Sequence, residues 1–330
     1  MQENNLQYVA VYGGYINDDL KLMNSASGGI ATALTEHIIE TGGYVAGVAY
    51  SQDFYSATYL ITNNKNDVEK LKGSKYIDCE KNNVYAEIKK LTDSGKTVLF
   101  FGLPCVVAGL YGFLGNRPEK LITCELICNG PTYTKVHYDY VRYLEKKHKS
   151  KVVEFSVRYK TENSNRTHLY AKFKNGKVFL KPFYQTEYGY AFSVLGKTSC
   201  YDCKFKKNNT QGDIMIGDFW GATENDPFWN EKGMSCVLAK TEKGNSFLQS
   251  ISSVKLFKSN IERVFKNNPA IIEPRKIQKD KDKFARLLER KGLFYAVKHN
   301  MSYKQRIRKI FSAITPKNIK KFFVKTKTKI

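Results

Sequence analysis

The chain has 330 residues, 42% of them apolar, and a formal net charge of +23. These values exclude a short peptide and a wholly disordered chain, and they predict two lobes or one large domain with an extension. The charge is concentrated near one end, because residues 255–330 contain 23 Lys and Arg against 5 Asp and Glu. We therefore predict a main domain over residues 1–254 and a basic helical extension over residues 255–330.

The first residues do not form the charged and then apolar pattern of a secretion signal. We expect a cytoplasmic, reducing environment in which the seven cysteines are thiols or metal ligands rather than disulfides. Residues 98–115 carry no charged side chain, which makes them long enough to be considered as a membrane span. Because Gly102-Leu103-Pro104 interrupts them, the sequence predicts a buried strand, a turn and a helix instead.

The chain starts with a predicted strand or arm over residues 6–14. A turn containing Ser27, Gly28 and Gly29 then leads into a predicted helix over residues 30–41. Such a turn offers unpaired backbone N–H groups at the positive end of a helix dipole, which suits a phosphate group. Its small residues also allow a flat ring to approach the backbone. An ordinary helix N-cap is the alternative interpretation.

Two further strands are predicted over residues 44–50 and 56–62. The segment that follows places Gly73, Ser74 and Lys75 in a small basic turn. A serine and lysines around a glycine suit an anionic ligand. The alternative is that these lysines are simply solvated.

Strands and helices alternate over residues 43–150, which indicates an α/β lobe with largely parallel strands. Cys105 follows the predicted buried strand over residues 96–102, and Cys128 ends the one over residues 121–128. Open α/β sheets bind ligands at the carboxyl ends of their strands. The two cysteines therefore occupy equivalent positions at a predicted ligand-binding edge.

Cys200 and Cys203 form a CxxC turn, which directs both sulfur atoms toward one soft metal ion or iron-sulfur cluster. Such a centre needs two more ligands. We predict that Cys105 and Cys128 supply them, because both lie at strand ends. The other three cysteines have no suitable spacing and are predicted to be inert, with Cys124 inside its strand as core filling: Cys79, Cys124 and Cys236.

Residues 151–185 change character and predict an antiparallel β excursion packed beside the α/β lobe. After the CxxC turn, a strand leads into a glycine-bracketed turn that contains Asp218 and Trp220. This turn could hold an aromatic side chain against a flat cofactor. The alternative is that Trp220 fills the core.

With these segments placed, the sequence resembles the coenzyme F420 hydrogenase/dehydrogenase beta-subunit family. Six motifs that occur in the family's order, over roughly residues 20–250, carry the resemblance. They are Ser25-Ala26-Ser27-Gly28-Gly29, Lys72-Gly73-Ser74-Lys75-Tyr76, the segment Leu99 to Cys105, Leu126-Ile127-Cys128-Asn129-Gly130, Ser199-Cys200-Tyr201-Asp202-Cys203-Lys204, and the segment Asp213 to Gly221.

The resemblance implies FAD and a [4Fe-4S] cluster, with electrons passing between a hydride carrier or a partner ferredoxin and a substrate. Carried over to this sequence, the cluster ligands are Cys105, Cys128, Cys200 and Cys203, and the turns Ser27 to Gly29 and Gly73 to Lys75 border the flavin. Three departures from the family pattern, at Leu103, Val106 and Asn129, bear on the substrate. No catalytic acid or base is predicted, since none of the five histidines lies in a motif.

Two alternatives remain open at this point. Four cysteines also make a closed tetrahedral zinc site, which would give a zinc-stapled binding protein without catalysis. The basic tail predicts amphipathic helices that suit an anionic membrane surface at the inner face, while a docked or solvated tail is the simpler interpretation. The apolar positions of this pattern are Ile307, Ile310, Phe311 and Ile314, and then Ile319, Phe322 and Phe323.

Overall fold

The structure is a computed structural model, and it describes residues 8–161, 164–227 and 229–302. Eight strands form the main sheet in the order β11-β1-β10-β9-β5-β4-β2-β3. Their bounds are β1 (Ala10–Ile16), β2 (Tyr44–Tyr50), β3 (Ala57–Thr62), β4 (Val98–Gly102), β5 (Leu121–Leu126), β9 (Ile214–Asp218), β10 (Ser235–Ala239) and β11 (Val254–Lys258). A separate three-stranded sheet contains β6 (Val152–Thr161), β7 (Ser164–Phe173) and β8 (Val178–Pro182).

The centre of the main sheet is parallel. Strands β2, β4, β5 and β9 pair in the same direction, whereas β3 on one side and β10, β1 and β11 on the other pair antiparallel. All five residues of β4 are buried, as expected for a central strand covered on both faces. The predicted fold class is confirmed: an α/β lobe with a parallel centre, an antiparallel excursion and helices at the C-terminal side.

Eleven α-helices occur within the described residues. They are α1 (Asp19–Met23), α2 (Ile30–Glu40), α3 (Val68–Leu71), α4 (Val84–Asp93), α5 (Pro104–Leu114), α6 (Thr134–His148), α7 (Glu187–Val194), α8 (Glu242–Gln249), α9 (Ile261–Asn267), α10 (Lys281–Lys291) and α11 (Leu293–Asn300). Helix α5 illustrates how sequence sets the ends, because Pro104 occupies its first turn and Gly115 follows its last turn with φ 71°. None of the helices in the described ranges is long and apolar enough to cross a bilayer.

The small sheet and the last helices share one apolar core with helices α6 and α7. Buried side chains from all of these elements meet there, including Tyr140 of α6, Phe173 of β7, Tyr188 of α7 and Phe284 of α10. A second core lies between α2 and the main sheet. The predicted domain division at residue 254 stays a prediction, while β11 spans that position and pairs with β1. The predicted amphipathic segments from Ile307 to Phe323 lie outside the described residues.

Candidate functional site

The parallel centre of the main sheet brings two of the predicted ligand cysteines to one edge. Strands β4 and β5 are parallel neighbours, with Gly102 opposite Glu125. Cys105 lies in the first turn of α5, directly after β4, and Cys128 lies two residues after β5. Since the carboxyl ends of parallel neighbours meet at the same edge, both thiols lie on the side of the sheet where ligands bind in this fold class.

The CxxC turn is packed directly against the segment that follows β5. Gly130 has φ 87°, and a Cβ atom added there would lie 2.9 Å from Cys200 Cβ and 3.0 Å from Cys200 Sγ. Only a glycine allows both this left-handed conformation and this close approach. The Gly130 N–H donates to Cys128 Sγ at 3.1 Å. Two thiols that are 72 residues apart in sequence are thus held by one glycine.

Burial and neighbouring thiols raise the pKa values of Cys105 and Cys128. Burial raises the pKa of Cys105, and the thiols of Cys203 and Cys200 raise it further. Burial likewise raises the pKa of Cys128 to about 11, with smaller contributions from Cys105 and Cys200, whereas the Gly130 N–H and the Lys206 ammonium oppose the increase. Within the described ranges, no group of three or more Cys, His, Asp and Glu side chains is arranged so that it could hold a metal ion. We call these four cysteines the cysteine edge.

Arg275 connects the two cysteine-bearing segments and was not predicted from the sequence. Its side chain is buried, and its guanidinium donates to the carbonyl oxygens of Asn129 at 3.1 Å, Gly130 at 3.2 Å and Phe192. Its backbone N–H donates to Cys200 O at 3.1 Å. These contacts tie the loop after β5, the end of α7 and the CxxC turn together. The sequence around Arg275 has no pattern that would have indicated this role.

Of the remaining cysteines, Cys124 fills the core as predicted, while the inertness of Cys79 and Cys236 stays a prediction. Cys124 and Cys236 are fully buried among apolar side chains of the main sheet, and burial raises the pKa of Cys236 to about 12. Cys79 is half-buried, and burial raises its pKa as well. The described ranges contain no disulfide, so all seven cysteines are free thiols.

A cleft of about 510 Å³ lies between the main sheet and the small sheet. Its lining includes residues 23–26, which precede the predicted turn Ser27 to Gly29, residues 72–75, which contain the predicted turn Gly73 to Lys75, and residues of β6. Two polar atoms of its lining are buried without a hydrogen-bond partner: Arg158 Nε and Tyr50 Oη. Unpartnered buried polar groups are costly, so these atoms suit a polar ligand in the cleft.

Arg158 and Lys160 supply the buried positive charge of the cleft. The Arg158 guanidinium forms a two-bond ion pair with Asp218 at 2.6 and 2.9 Å and also donates to Ala26 O at 2.7 Å. Lys160 Nζ donates to Leu22 O at 2.8 Å and Ser27 O at 2.5 Å, and burial lowers its pKa to about 7. Their spacing of two puts both side chains on one face of β6, which was the signal available in the sequence.

The predicted flavin residues fall into two groups. Gly73, Ser74 and Lys75 line the cleft directly. Lys75 Nζ donates to the carbonyl oxygens of Lys70, Leu71 and Lys72 at the end of α3. All three of its N–H donors are therefore occupied, and it can act on a ligand in the cleft only through its charge. Ser27 does not line the cleft itself, but its carbonyl oxygen accepts a hydrogen bond from Lys160, which does.

The structure does not bring the other four predicted flavin residues to the cleft lining. A Cβ atom on Gly28 would lie 2.5 Å from Gly14 O, and one on Gly29 would lie 2.4 Å from Ile16 Cγ2, so these glycines permit close packing on β1. Asp218 acts through Arg158. Trp220 has 57% of its surface exposed, which makes the alternative that it fills the core wrong.

Two aromatic rings connect the cleft to the cysteine edge. Arg158 Nη1 donates to the hydroxyl of Tyr76 at 3.3 Å, and the Tyr76 ring stacks on Phe192 with 4.5 Å between centroids and 14° between planes. The Arg275 guanidinium lies 5.4 Å from the centroid of Phe192. The two candidate sites are therefore separated by only a short row of packed side chains.

Histidine contributes no acid or base to either site within the described ranges. His137 is buried, with its Nε2 atom 2.7 Å from Phe54 O and its ring stacked on Tyr50. Burial lowers its pKa to about 4, so it is neutral at physiological pH. Its ring packs against the Tyr50 ring and helps to hold it in place.

Comparison with known families adds to this geometry. A family model for the N-terminal part of the coenzyme F420 hydrogenase/dehydrogenase beta subunit matches residues 11–84, and a model for the C-terminal part matches residues 95–262. The chain belongs to the coenzyme F420 hydrogenase/dehydrogenase beta-subunit family. This confirms the resemblance drawn from the six ordered motifs and makes the chain a member of a family of oxidoreductase subunits.

Among solved structures, a chain of this fold occurs in the F420-reducing [NiFe] hydrogenase complex from Methanosarcina barkeri, determined as a xenon derivative. The two chains superpose with a TM-score of 0.52 and 19% sequence identity, over 91% of this chain and 94% of that chain. At this identity the likeness shows a shared fold. None of the curated proteins is significantly similar to this chain in sequence.

Proposed function

We propose that this beta-subunit family member is an electron-transferring oxidoreductase subunit that binds FAD in the cleft and a [4Fe-4S] cluster on the cysteine edge. The observation that carries the proposal is that the CxxC turn packs at Gly130 against the segment that contains Cys128, at the sheet edge where Cys105 also lies, beside a basic cleft. When bound, the flavin would exchange the two electrons of a hydride and the cluster would transfer electrons singly.

The residues of the cysteine edge fit an iron-sulfur cluster. Cys105, Cys128, Cys200 and Cys203 would be the thiolate ligands. The Gly130 N–H and the Lys206 ammonium, which donates to Cys128 O at 2.7 Å, would stabilise the negative charge of the ligated centre. Burial of Cys128 would keep water away from that side of the centre. A reducing cytoplasm would keep the thiols available as ligands.

The residues of the cleft fit the phosphate groups of a dinucleotide. The unpartnered Arg158 N–H would donate to a phosphate oxygen. Burial lowers the pKa values of Lys160 and Lys75 to about 7, and a bound phosphate would favour their charged forms, which would then offset its negative charge. Asp218 would hold the guanidinium in place. Tyr50, with its unpartnered hydroxyl, would add one more polar contact.

Analysis of anaerobically purified protein tests the proposal. We expect about four irons, four sulfides and one FAD per chain, with the FAD identified by fluorescence after denaturation. One zinc per chain without iron or flavin would contradict the proposal and establish a zinc-stapled protein instead. Replacing Arg158→Met should weaken FAD binding about tenfold or more through the lost charge-assisted bonds, whereas the exposed Lys177→Met should leave FAD binding unchanged.

A further inference from the structure

The turn between β2 and β3 holds a bulky residue in a backbone conformation that usually belongs to glycine. Phe54 has φ 61°, and it is one of four non-glycine residues with a positive φ in the part of the chain that the structure describes. A β-carbon in the left-handed region crowds the backbone, so a large aromatic residue there is strained. Such strained residues cluster at ligand-binding sites, where the surrounding structure holds them in place.

Hydrogen bonds fix Phe54 on both sides of its α-carbon. Its N–H donates to Ser51 O at 2.9 Å, and its carbonyl oxygen lies 2.7 Å from His137 Nε2. Because a carbonyl oxygen only accepts, Nε2 carries the imidazole proton and donates it to Phe54. Asp53 Oδ1 closes the turn by accepting from the Tyr55 N–H at 3.0 Å. The strained conformation is therefore held by the turn and by a buried histidine of α6.

Phe54 belongs to an aromatic part of the cleft. Tyr50, Phe54 and Phe155 all line the cleft, and we call these three residues the aromatic wall. The centroid of the Tyr50 ring lies 5.9 Å from that of Phe54 and 5.8 Å from that of Phe155. The His137 ring packs under the wall, 5.1 Å from Tyr50 and 5.1 Å from Phe155. The same cleft is thus basic at β6 and aromatic at the β2–β3 turn.

We propose that the aromatic wall binds a flat heteroaromatic ring of the cleft ligand, that Phe54 contacts this ring, and that His137 is a positioning residue for Phe54. The inference rests on the proposed function, because FAD carries two such rings on one pair of phosphates, and Arg158 and Lys160 are assigned to the phosphates. Aromatic side chains bind flat rings by offset stacking or by edge-to-face contact. A glycine would relax the turn, but only an aromatic residue offers this contact.

The first test measures FAD binding to the full chain. Dilution of the holoprotein releases fluorescent flavin and gives the Kd. Phe54→Gly removes the ring and relaxes the backbone, and we expect a Kd about tenfold weaker than for the unchanged chain. Phe54→Tyr keeps the ring and should stay within about twofold. An unchanged Kd in Phe54→Gly would overturn the inference.

The second test measures the strain by itself. Phe54→Gly and Phe54→Ala both lack the ring and differ only in the β-carbon. In urea unfolding of cofactor-free protein, the unfolding constant should be about threefold smaller for Phe54→Gly, the reverse of the order at an ordinary position. A more stable Phe54→Ala would show that position 54 is not strained, and it would overturn the inference.

Lys149 provides the matched control. It also has a positive φ, at 52°, but it is exposed, follows the last residue of α6 and does not line the cleft. Lys149→Gly should be more stable than Lys149→Ala by a similar factor, while FAD binding stays within about twofold of the unchanged chain. Equal weakening of FAD binding by Lys149→Gly and Phe54→Gly would overturn the contact between Phe54 and the ligand.

A double-mutant cycle tests His137. His137→Phe keeps a ring beside Tyr50 and removes the N–H that donates to Phe54 O. We expect it to weaken FAD binding about threefold in the unchanged chain and to have no further effect in the Phe54→Gly background, since it acts through Phe54. Additive losses would overturn the positioning role, because a general loss of stability would weaken binding in both backgrounds.

Two smaller probes identify the ring and separate this inference from the proposed function. FMN carries the isoalloxazine ring of FAD, and ADP carries its adenine ring. Phe54→Gly should weaken the binding of one probe and leave the other unchanged, and an equal effect on both or on neither would overturn the inference. An unchanged chain that binds no FAD would overturn the proposed function itself, whereas FAD binding that does not depend on Phe54 would overturn this inference alone.

Discussion

The cysteine edge and the cleft are neighbours, but they are built in different ways. The cysteine edge depends on local geometry: two thiols follow parallel strands and two belong to one tight turn. The cleft depends on how a second sheet docks on the first, because Arg158 and Lys160 reach the loops of the main sheet from β6. The positions of thiols at strand ends can thus be anticipated from the sequence, whereas a cleft between two sheets needs the docked structure.

The largest expected effect separates the cysteine edge from the inert cysteines. Cys200→Ser should remove nearly all cluster iron, because a cubane cluster needs its four ligands and serine is a poor substitute for thiolate. Cys79→Ser, a half-buried thiol outside the edge, should keep its iron content. Iron and sulfide analysis after anaerobic purification measures both. Equal iron loss in the two variants would show that the edge is not the ligand set.

Arg275 tests whether the edge and the neighbouring helix end are held as one unit. Arg275→Met leaves the buried carbonyl oxygens of Asn129, Gly130 and Phe192 without their donor. We expect a loss of about 3 kcal/mol in the free energy of unfolding, since each unsatisfied buried group costs about 1–3 kcal/mol. Urea unfolding of cofactor-free protein measures it. The exposed neighbour Lys276→Met should stay within about 0.5 kcal/mol, and a similar value for Arg275→Met would contradict the role.

Two glycines form a matched pair that sharpens the description of the edge. Gly130 and Gly176 both have positive φ, at 87° and 80°, but only Gly130 has Cys200 within contact distance of an added Cβ atom. Each alanine variant should lose about 1 kcal/mol of stability from backbone strain. Gly130→Ala should lose more and release iron faster, as seen in the decay of visible absorbance. Identical behaviour of the two variants would argue against close contact at Gly130.

The last comparison concerns the cleft and its pH dependence. Burial lowers the pKa of Lys160 from 10.5 to about 7, with a further decrease from Arg158 and opposition from Asp218. Between pH 7 and 10.5 the unfolded chain binds a proton that the folded chain has lost, so stability rises with pH in this window. Below pH 7 this gain is absent.

Lys160→Met should abolish that rise, which is at most about 1.4 kcal/mol per pH unit. Unfolding curves of the two proteins at several pH values give the difference directly. The exposed Lys174→Met should keep the rise seen in the unchanged chain. A pH-independent difference between the unchanged chain and Lys160→Met would mean that Lys160 stays charged in the fold.

Much of the fold could be predicted because buried strands, turns and helices follow one another with recognisable local patterns. Strand β4 is apolar throughout, and β5 is apolar except for the buried Thr123 and Glu125. Glycine or proline follows each strand, and the strand direction fixes where the next cysteine lies. The roles of Gly28 and Gly29 could not be predicted. A glycine that makes room for a ligand and a glycine that makes room for a neighbouring strand look the same in a sequence. Arg275 was missed because its contacts are 75 or more residues away from it.

Counting the electrons that one chain accepts tests the central claim most directly. In an anaerobic reductive titration, the account predicts three electrons per chain, two for the flavin and one for the cluster, and two for Cys200→Ser. The cluster electron should appear as bleaching of the broad visible absorbance. Two electrons or fewer in the unchanged chain, together with an unreduced metal bound to the four thiols, would contradict the account.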